Sequence, residues 1–160
     1  MAINPLKVLF VASEVEGLVK TGGLADVAKA LPQHLAREGH DVRIILPFYQ
    51  TLKRRDEARL LASRWLPTPQ GRDDISYRIY QLELDGICVY LLDCPAYFER
   101  PQLYAENNQA YPDNGERFAF LAAAALHACE QLNFAPDIVH CNDWHTGLLP
   151  LLLKTRHAHN

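Results

Sequence analysis

A chain of 160 residues with 49% hydrophobic and 22% charged residues has room for one compact domain around a single core, with no repeat or low-complexity tract to interrupt it. Sixteen Lys and Arg against nineteen Asp and Glu give a formal charge of −3, which lacks the basic excess that nucleic-acid binders need for counterion release. The apolar runs fall far short of the ~20 residues of a membrane span and no export pattern opens the chain, so neither nucleic acid nor membrane is expected as a partner.

Leu6 to Ala12, "LKVLFVA", reads as a strand buried on both faces. From Leu24 the apolar positions Leu24, Val27, Ala28, Leu31 and Leu35 recur at helical spacing, and Gly39 supplies the stop. Pro32 inside that helix removes one backbone hydrogen bond, so a kink or local loosening is expected. "DVRIILP", Asp41 to Pro47, is the second strand and completes a right-handed βαβ unit, which makes the sheet parallel at this end. Between Ile75 and Asp93 two strand-like runs flank Asp85-Gly86, a dipeptide suited to a tight hairpin turn. A helix capped by Asp113 or Asn114 runs to Phe134, with Phe118, Leu121, Ala122, Ala125, Cys129 and Leu132 on its apolar side and Arg117 on its exposed side. "DIVHC", Asp137 to Cys141, is a further buried strand, followed by a helix entered near Trp144.

The fold class is therefore α/β: a Rossmann-like, mostly parallel sheet with an inserted β-hairpin. Ligands of such sheets bind beyond the carboxyl ends of the strands. Two loops qualify. In "EGLVKTGGLAD", Glu16 to Asp26, Gly22 and Gly23 open a helix whose first amides and dipole favour an anion, and Lys20 adds a positive charge. The same residues also suit a plain turn with a solvated lysine, and the loop matches neither common phosphate-loop pattern. In "HCNDWHTGLLP", a carboxylate, an indole and an imidazole stand together at Asp143, Trp144 and His145. That mixture suits a sugar, and it equally suits a helix cap by Asn142 or Asp143 with Trp144 in the core.

The four cysteines, Cys88, Cys94, Cys129 and Cys141, form no Cys-x-x-Cys pair and read as buried thiols of a reducing cytoplasm. Of the seven histidines only His140 and His145 lie close together, with no third ligand at a recognised spacing, so no metal is expected.

"VLFVASEVEGLVKTGGLADVAKALP", "YPDNGERFAF" and "DIVHCNDWHTGLLP", in this order, closely resemble the N-terminal half of bacterial glycogen synthases and plant starch synthases. The resemblance implies the N-terminal domain of a two-domain GT-B glycosyltransferase, which moves glucose from ADP-glucose to the non-reducing end of an α-1,4-glucan, glycogen in bacteria, with retention and without cofactor or metal. It implies that Lys20 contacts the donor, with Gly22 and Gly23 lining its diphosphate and glucose side. Asp143 and His145 become the catalytic candidates, and Tyr104 and Trp144 line the cleft for glucose and glucan. Gly17 stands where the family commonly has proline. The family's chain continues beyond residue 160, so residues 1–160 are expected to be an incomplete domain without the second one. Alone, such a piece is expected to be inactive and to self-associate through its cut sheet edge. A non-catalytic nucleotide-sugar or glucan binding module is the alternative from another class, and a UDP-glucose synthase is the alternative among enzymes.

Overall fold

The computed structural model describes residues 4–67 and 75–158. β1 (Lys7–Val11) lies at the centre of the parallel part of a six-stranded sheet, between β2 (Asp41–Pro47) and β8 (Ile138–Cys141), both parallel to it. β5 (Ile87–Asp93) pairs parallel with β2 on its other side. β4 (Ile75–Leu84) and β3 (Arg59–Leu66) continue antiparallel, giving the order β3-β4-β5-β2-β1-β8. Three pairings are parallel and two antiparallel, which is the mostly parallel α/β sheet expected from the sequence.

The hairpin between β4 and β5 turns at Asp85 and Gly86, with φ of 48° and 83°, the left-handed pair that a two-residue turn needs. Lys29 Nζ, 3.2 Å from Asp85 Oδ2, pins that turn to α1 (Gly23–Arg37). α1 runs through Pro32, whose ring is buried; Ala25 takes a buried place while Val27 faces out. α3 (Asn114–Gln131) supplies the largest helical share of the core, through Phe118, Phe120, Leu121, Ala124, Ala125 and Ala128.

Several expectations need correction. β8 was expected to be buried, yet it is a sheet edge, with Ile138 44% exposed, because only β1 pairs with it among the described residues. Of the two cap candidates for α3, Asp113 holds the position, though without a side-chain bond, and Asn114 is the first helical residue. Arg117 is fully buried rather than exposed, because the chain preceding α3 folds over it and offers carbonyls to its guanidinium. After β8 the chain enters a single 3-10 turn (Trp144–Thr146), and α4 begins only at Leu149, running to Arg156. β3 has no counterpart in the sequence reading. The remaining elements are short: a 3-10 turn (Arg55–Glu57), α2 (Pro95–Phe98) and the two-residue strands β6 (Ala105–Glu106) and β7 (Gln109–Ala110).

Candidate functional site

The strand order sets the site. β1 and β8 are neighbours, so the loops at their carboxyl ends meet, although they lie far apart in the sequence.

The loop after β1 folds on itself before it reaches Lys20. Val15 and Val19 exchange backbone hydrogen bonds of 3.1 and 3.0 Å, Glu16 N donates to Ala25 O at 3.0 Å, and buried Leu18 anchors the turn. Gly17 reverses the chain at φ 90°, a conformation closed to a proline, whose ring holds φ near about −65°. Lys20, Thr21, Gly22 and Gly23 are thereby presented to solvent. Lys20 Nζ lies 2.6 Å from Asp26 Oδ1 and 3.6 Å from Glu16 Oε2, and the Asp26 hydrogen bond raises its pKa above the ordinary lysine value. The ammonium is thus tethered over the start of α1, where no side chain caps the first amides. Neither Gly22 nor Gly23 has a φ that demands glycine, and a Cβ on either would meet no atom within 4 Å. The fold itself does not need these glycines, so the open face above them is available to a ligand.

The loop after β8 is built differently. Asn142 Nδ2 donates to Val11 O at 2.9 Å and locks the two strand ends together. Asp143 then takes φ 64° and ψ −176°, a region of backbone space that is nearly exclusive to glycine and costs about 1–3 kcal/mol elsewhere. Its Oδ1 accepts from Trp144 N at 2.6 Å and its carbonyl accepts from Thr146 Oγ1 at 3.1 Å. The strain turns Trp144 outward, 54% exposed, so it does not fill the core, and drives His145 inward, 4% exposed. The His145 ring stacks on Trp144 at 3.9 Å between centroids and contacts Tyr104 at 4.6 Å and Phe118 at 4.8 Å. Neither of its ring nitrogens has a hydrogen-bond partner among the described residues. Burial pulls its pKa down to about 4, so the imidazole is neutral around pH 7. His140, five residues earlier, stacks instead on Phe10 at 4.6 Å.

Tyr104 joins the two loops. Its ring meets Trp144 edge-on at 5.9 Å, and its hydroxyl lies 2.8 Å from Ser13 Oγ and 2.9 Å from Glu14 Oε2, both in the first loop. Its backbone is fixed from α3: Asn114 Nδ2 donates to Tyr104 O at 2.9 Å, and Arg117 donates to the carbonyls of Tyr97 at 2.7 Å and Leu103 at 2.8 Å. Arg100 clamps the start of α3 through both carboxylate oxygens of Asp113, which lowers that carboxyl's pKa.

The structure brings Tyr104, Trp144 and His145 into mutual contact, with Asp143 on the adjoining turn and Lys20, Gly22 and Gly23 on the facing loop. Sequence reasoning passed over Glu14, read Asn142 only as a helix cap and not as a strand lock, and set Arg117 on the exposed side of its helix. A signal existed for two of them. Glu14 is a carboxylate set among apolar residues in "VASEV", and Arg117 shares the i, i+4 face of Leu121.

A cleft at the carboxyl ends of adjacent parallel strands, with an open glycine turn under a tethered lysine on one side and a polar aromatic wall on the other, stands where α/β sheets bind their ligands. Residues 7–160 match the starch synthase catalytic domain, and the chain belongs to that family. It is 85% identical over all 160 residues to a glycogen synthase of Aeromonas salmonicida, of which it covers 33%. It is 60% identical over 155 residues, 97% of its length, to a glycogen synthase of Photobacterium profundum, of which it covers 30%. Among solved structures, the catalytic domain of starch synthase IV from Arabidopsis thaliana bound to ADP and acarbose superposes with a TM-score of 0.86 at 30% identity, over 97% of this chain and 31% of that one. The chain thus spans about a third of the length of the curated relatives it matches. No helix among the described residues is long and apolar enough to cross a membrane.

Proposed function

We propose that this chain forms one face of the active cleft of a glycogen synthase, an enzyme that transfers glucose from ADP-glucose to the non-reducing end of an α-1,4-glucan with retention of configuration. The observation that carries the reading is the meeting of the two loops: open amides and Lys20 on one side, and Tyr104, Asp143, Trp144 and His145 on the other. The related starch synthase IV domain, solved with ADP and acarbose bound, supports a nucleotide and an oligosaccharide as the ligands of this fold.

Each residue then has a physical task. As the bond from the anomeric carbon to the diphosphate breaks, negative charge grows on the leaving group. A positive ammonium and the positive end of α1 both favour that charge. Lys20 exchanges its Asp26 contact for the donor, and Gly22 and Gly23 let the chain approach without side chains in the way. The exposed indole of Trp144 offers an apolar face to a sugar ring, while the Asp143 carboxylate beside it accepts from sugar hydroxyls. His145, neutral and with unpartnered nitrogens, acts as a hydrogen-bonding group to the glucose rather than as a charge. Tyr104 completes the wall on which the glucan lies.

The test is incorporation of labelled glucose into glycogen by a full-length synthase whose corresponding third is this chain, with ADP-glucose and UDP-glucose supplied in competition. Transfer from ADP-glucose in preference is the expected result. Binding of either ligand without transfer would instead establish a binding module. The isolated 160-residue chain is expected to give no incorporation above a no-enzyme control.

A further inference from the structure

Three hydrogen-bond donors converge on one buried carboxylate between the two loops. Glu14 is 3% exposed. Its Oε1 accepts from the Thr21 amide and, at 2.7 Å, from the Thr21 hydroxyl. Its Oε2 lies 2.9 Å from the Tyr104 hydroxyl, which also lies 2.8 Å from Ser13 Oγ. A phenol has one proton and a carboxylate only accepts, so Tyr104 gives its proton to Glu14 and Ser13 donates to the Tyr104 oxygen. Each carboxylate oxygen therefore serves a different side: one holds the residue between Lys20 and Gly22, the other holds the cleft tyrosine.

We propose that Glu14 is a positioning residue that sets the separation and orientation of the Lys20–Gly23 turn relative to the Tyr104 side of the cleft, with the roles of those two sides resting on the function proposed above. Burying a carboxylate against neutral partners is a costly way to fasten a loop. What it provides, and a neutral side chain cannot, is acceptance on both sides at once. A glutamine in its place is forced into one orientation. The two donors of Thr21 claim its oxygen, so its NH₂ group meets the Tyr104 hydroxyl, which must then turn to accept. The donor side is kept and the cleft-wall side is changed.

That asymmetry gives the experiment, carried out on the same full-length synthase containing this chain. Glu14→Ala is expected to raise the KM for ADP-glucose about ten-fold and to lower kcat about ten-fold, the effect of losing hydrogen bonds to a charged group. Glu14→Gln is expected to return the donor KM to within about two-fold of the parent while kcat stays reduced about five-fold or more. Amide exchange at Thr21 is expected to quicken in Glu14→Ala and to match the parent in Glu14→Gln. Equal losses of thermal stability in both variants, with kcat and KM of the folded enzyme unchanged, would reduce Glu14 to a structural residue and overturn the proposal. So would a donor KM that Glu14→Gln fails to restore. If the parent enzyme transfers no glucose from ADP-glucose, the function proposed above falls on its own. The exchange comparison still decides the coupling, and equal protection in all three proteins would refute it.

Discussion

The turn after β1 and the turn after β8 stand side by side at one end of the sheet and are held by opposite means. The first keeps Lys20, Gly22 and Gly23 in water and draws its order from backbone bonds, from Leu18 beneath it and from the Glu14 carboxylate that holds Thr21. The second bends at a strained Asp143 and is wedged in place by His145 packed among Trp144, Tyr104 and Phe118. In the first turn the groups offered to a ligand carry little of the fold, so chemistry and stability are separable. In the second the same side chains do both, and any substitution there is read twice.

The largest effect is expected where the second turn takes its support. Replacing Arg117 with methionine keeps the volume but leaves the carbonyls of Tyr97 and Leu103 and the Asn114 side chain without their donor. A loss of about 3 kcal/mol or more is expected, seen as a fall of about 6 to 12 °C in Tm. A change below about 2 °C would show that the wall stands without it.

Acid should also separate the two turns. His145 titrates near pH 4 in the fold and near its ordinary value of about 6.5 when unfolded, so between those values the unfolded chain holds the extra proton. Its contribution to stability is complete above about pH 6.5 and is lost as the pH falls toward 4, on the order of 3 kcal/mol in all. Urea titrations at pH 7 and pH 4.5 on the parent and on His145→Phe measure it. The variant should show a shallower acid slope, and equal slopes would place the pH dependence elsewhere.

For the first turn the expectation reverses: activity moves and stability does not. Lys20→Ala is expected to weaken ADP-glucose use by about ten-fold to a hundred-fold, the worth of one charge-assisted contact. Tm should barely change, because the side chain is partly exposed and packs against little. Unchanged donor KM and kcat would return "EGLVKTGGLAD" to an ordinary turn. The smallest effect sharpens the contrast most. Gly23→Ala meets open space at the first position of α1, so stability should hold or rise by about 0.5 kcal/mol, while donor use falls. Kinetics and a thermal melt on the one variant decide whether that open face is a binding surface.

Much of the fold was legible in the sequence because β2 and β5 are apolar runs buried on both faces, while β4 alternates buried with exposed or half-buried positions. β2, β4 and β5 begin and end where their apolar runs do, and the Asp85-Gly86 turn announces its own φ angles. β3 was not legible: it is the outermost strand on its side of the sheet, Trp65 is 63% exposed, and "RLLASRWL" has no alternation to mark a buried face. The edge position of β8 was equally hidden, since "DIVHC" is apolar enough for a central strand and only the pairing shows otherwise. At the site, Lys20 and the glycines stood out by residue type and Asp143 to His145 by their mixture. Which way Trp144 and His145 face was not encoded in type or spacing. It follows from a backbone angle at Asp143 that an aspartate rarely adopts.

The meeting of β1 with β8 also dictates when the cleft can exist. Lys7 N reaches Asp137 Oδ2 at 2.8 Å and Asn142 Nδ2 reaches Val11 O at 2.9 Å, pairs separated by 130 and 131 positions along the chain. Contacts so distant form only after the intervening chain has surrendered its loop entropy, whereas the Val15–Val19 turn closes locally. A ribosome adding about 5–20 residues per second needs about 7 to 25 s to travel from one partner to the other. For that interval the nascent chain carries the lysine turn with no wall opposite it, and the strand edge of β1 that will receive β8 is bare.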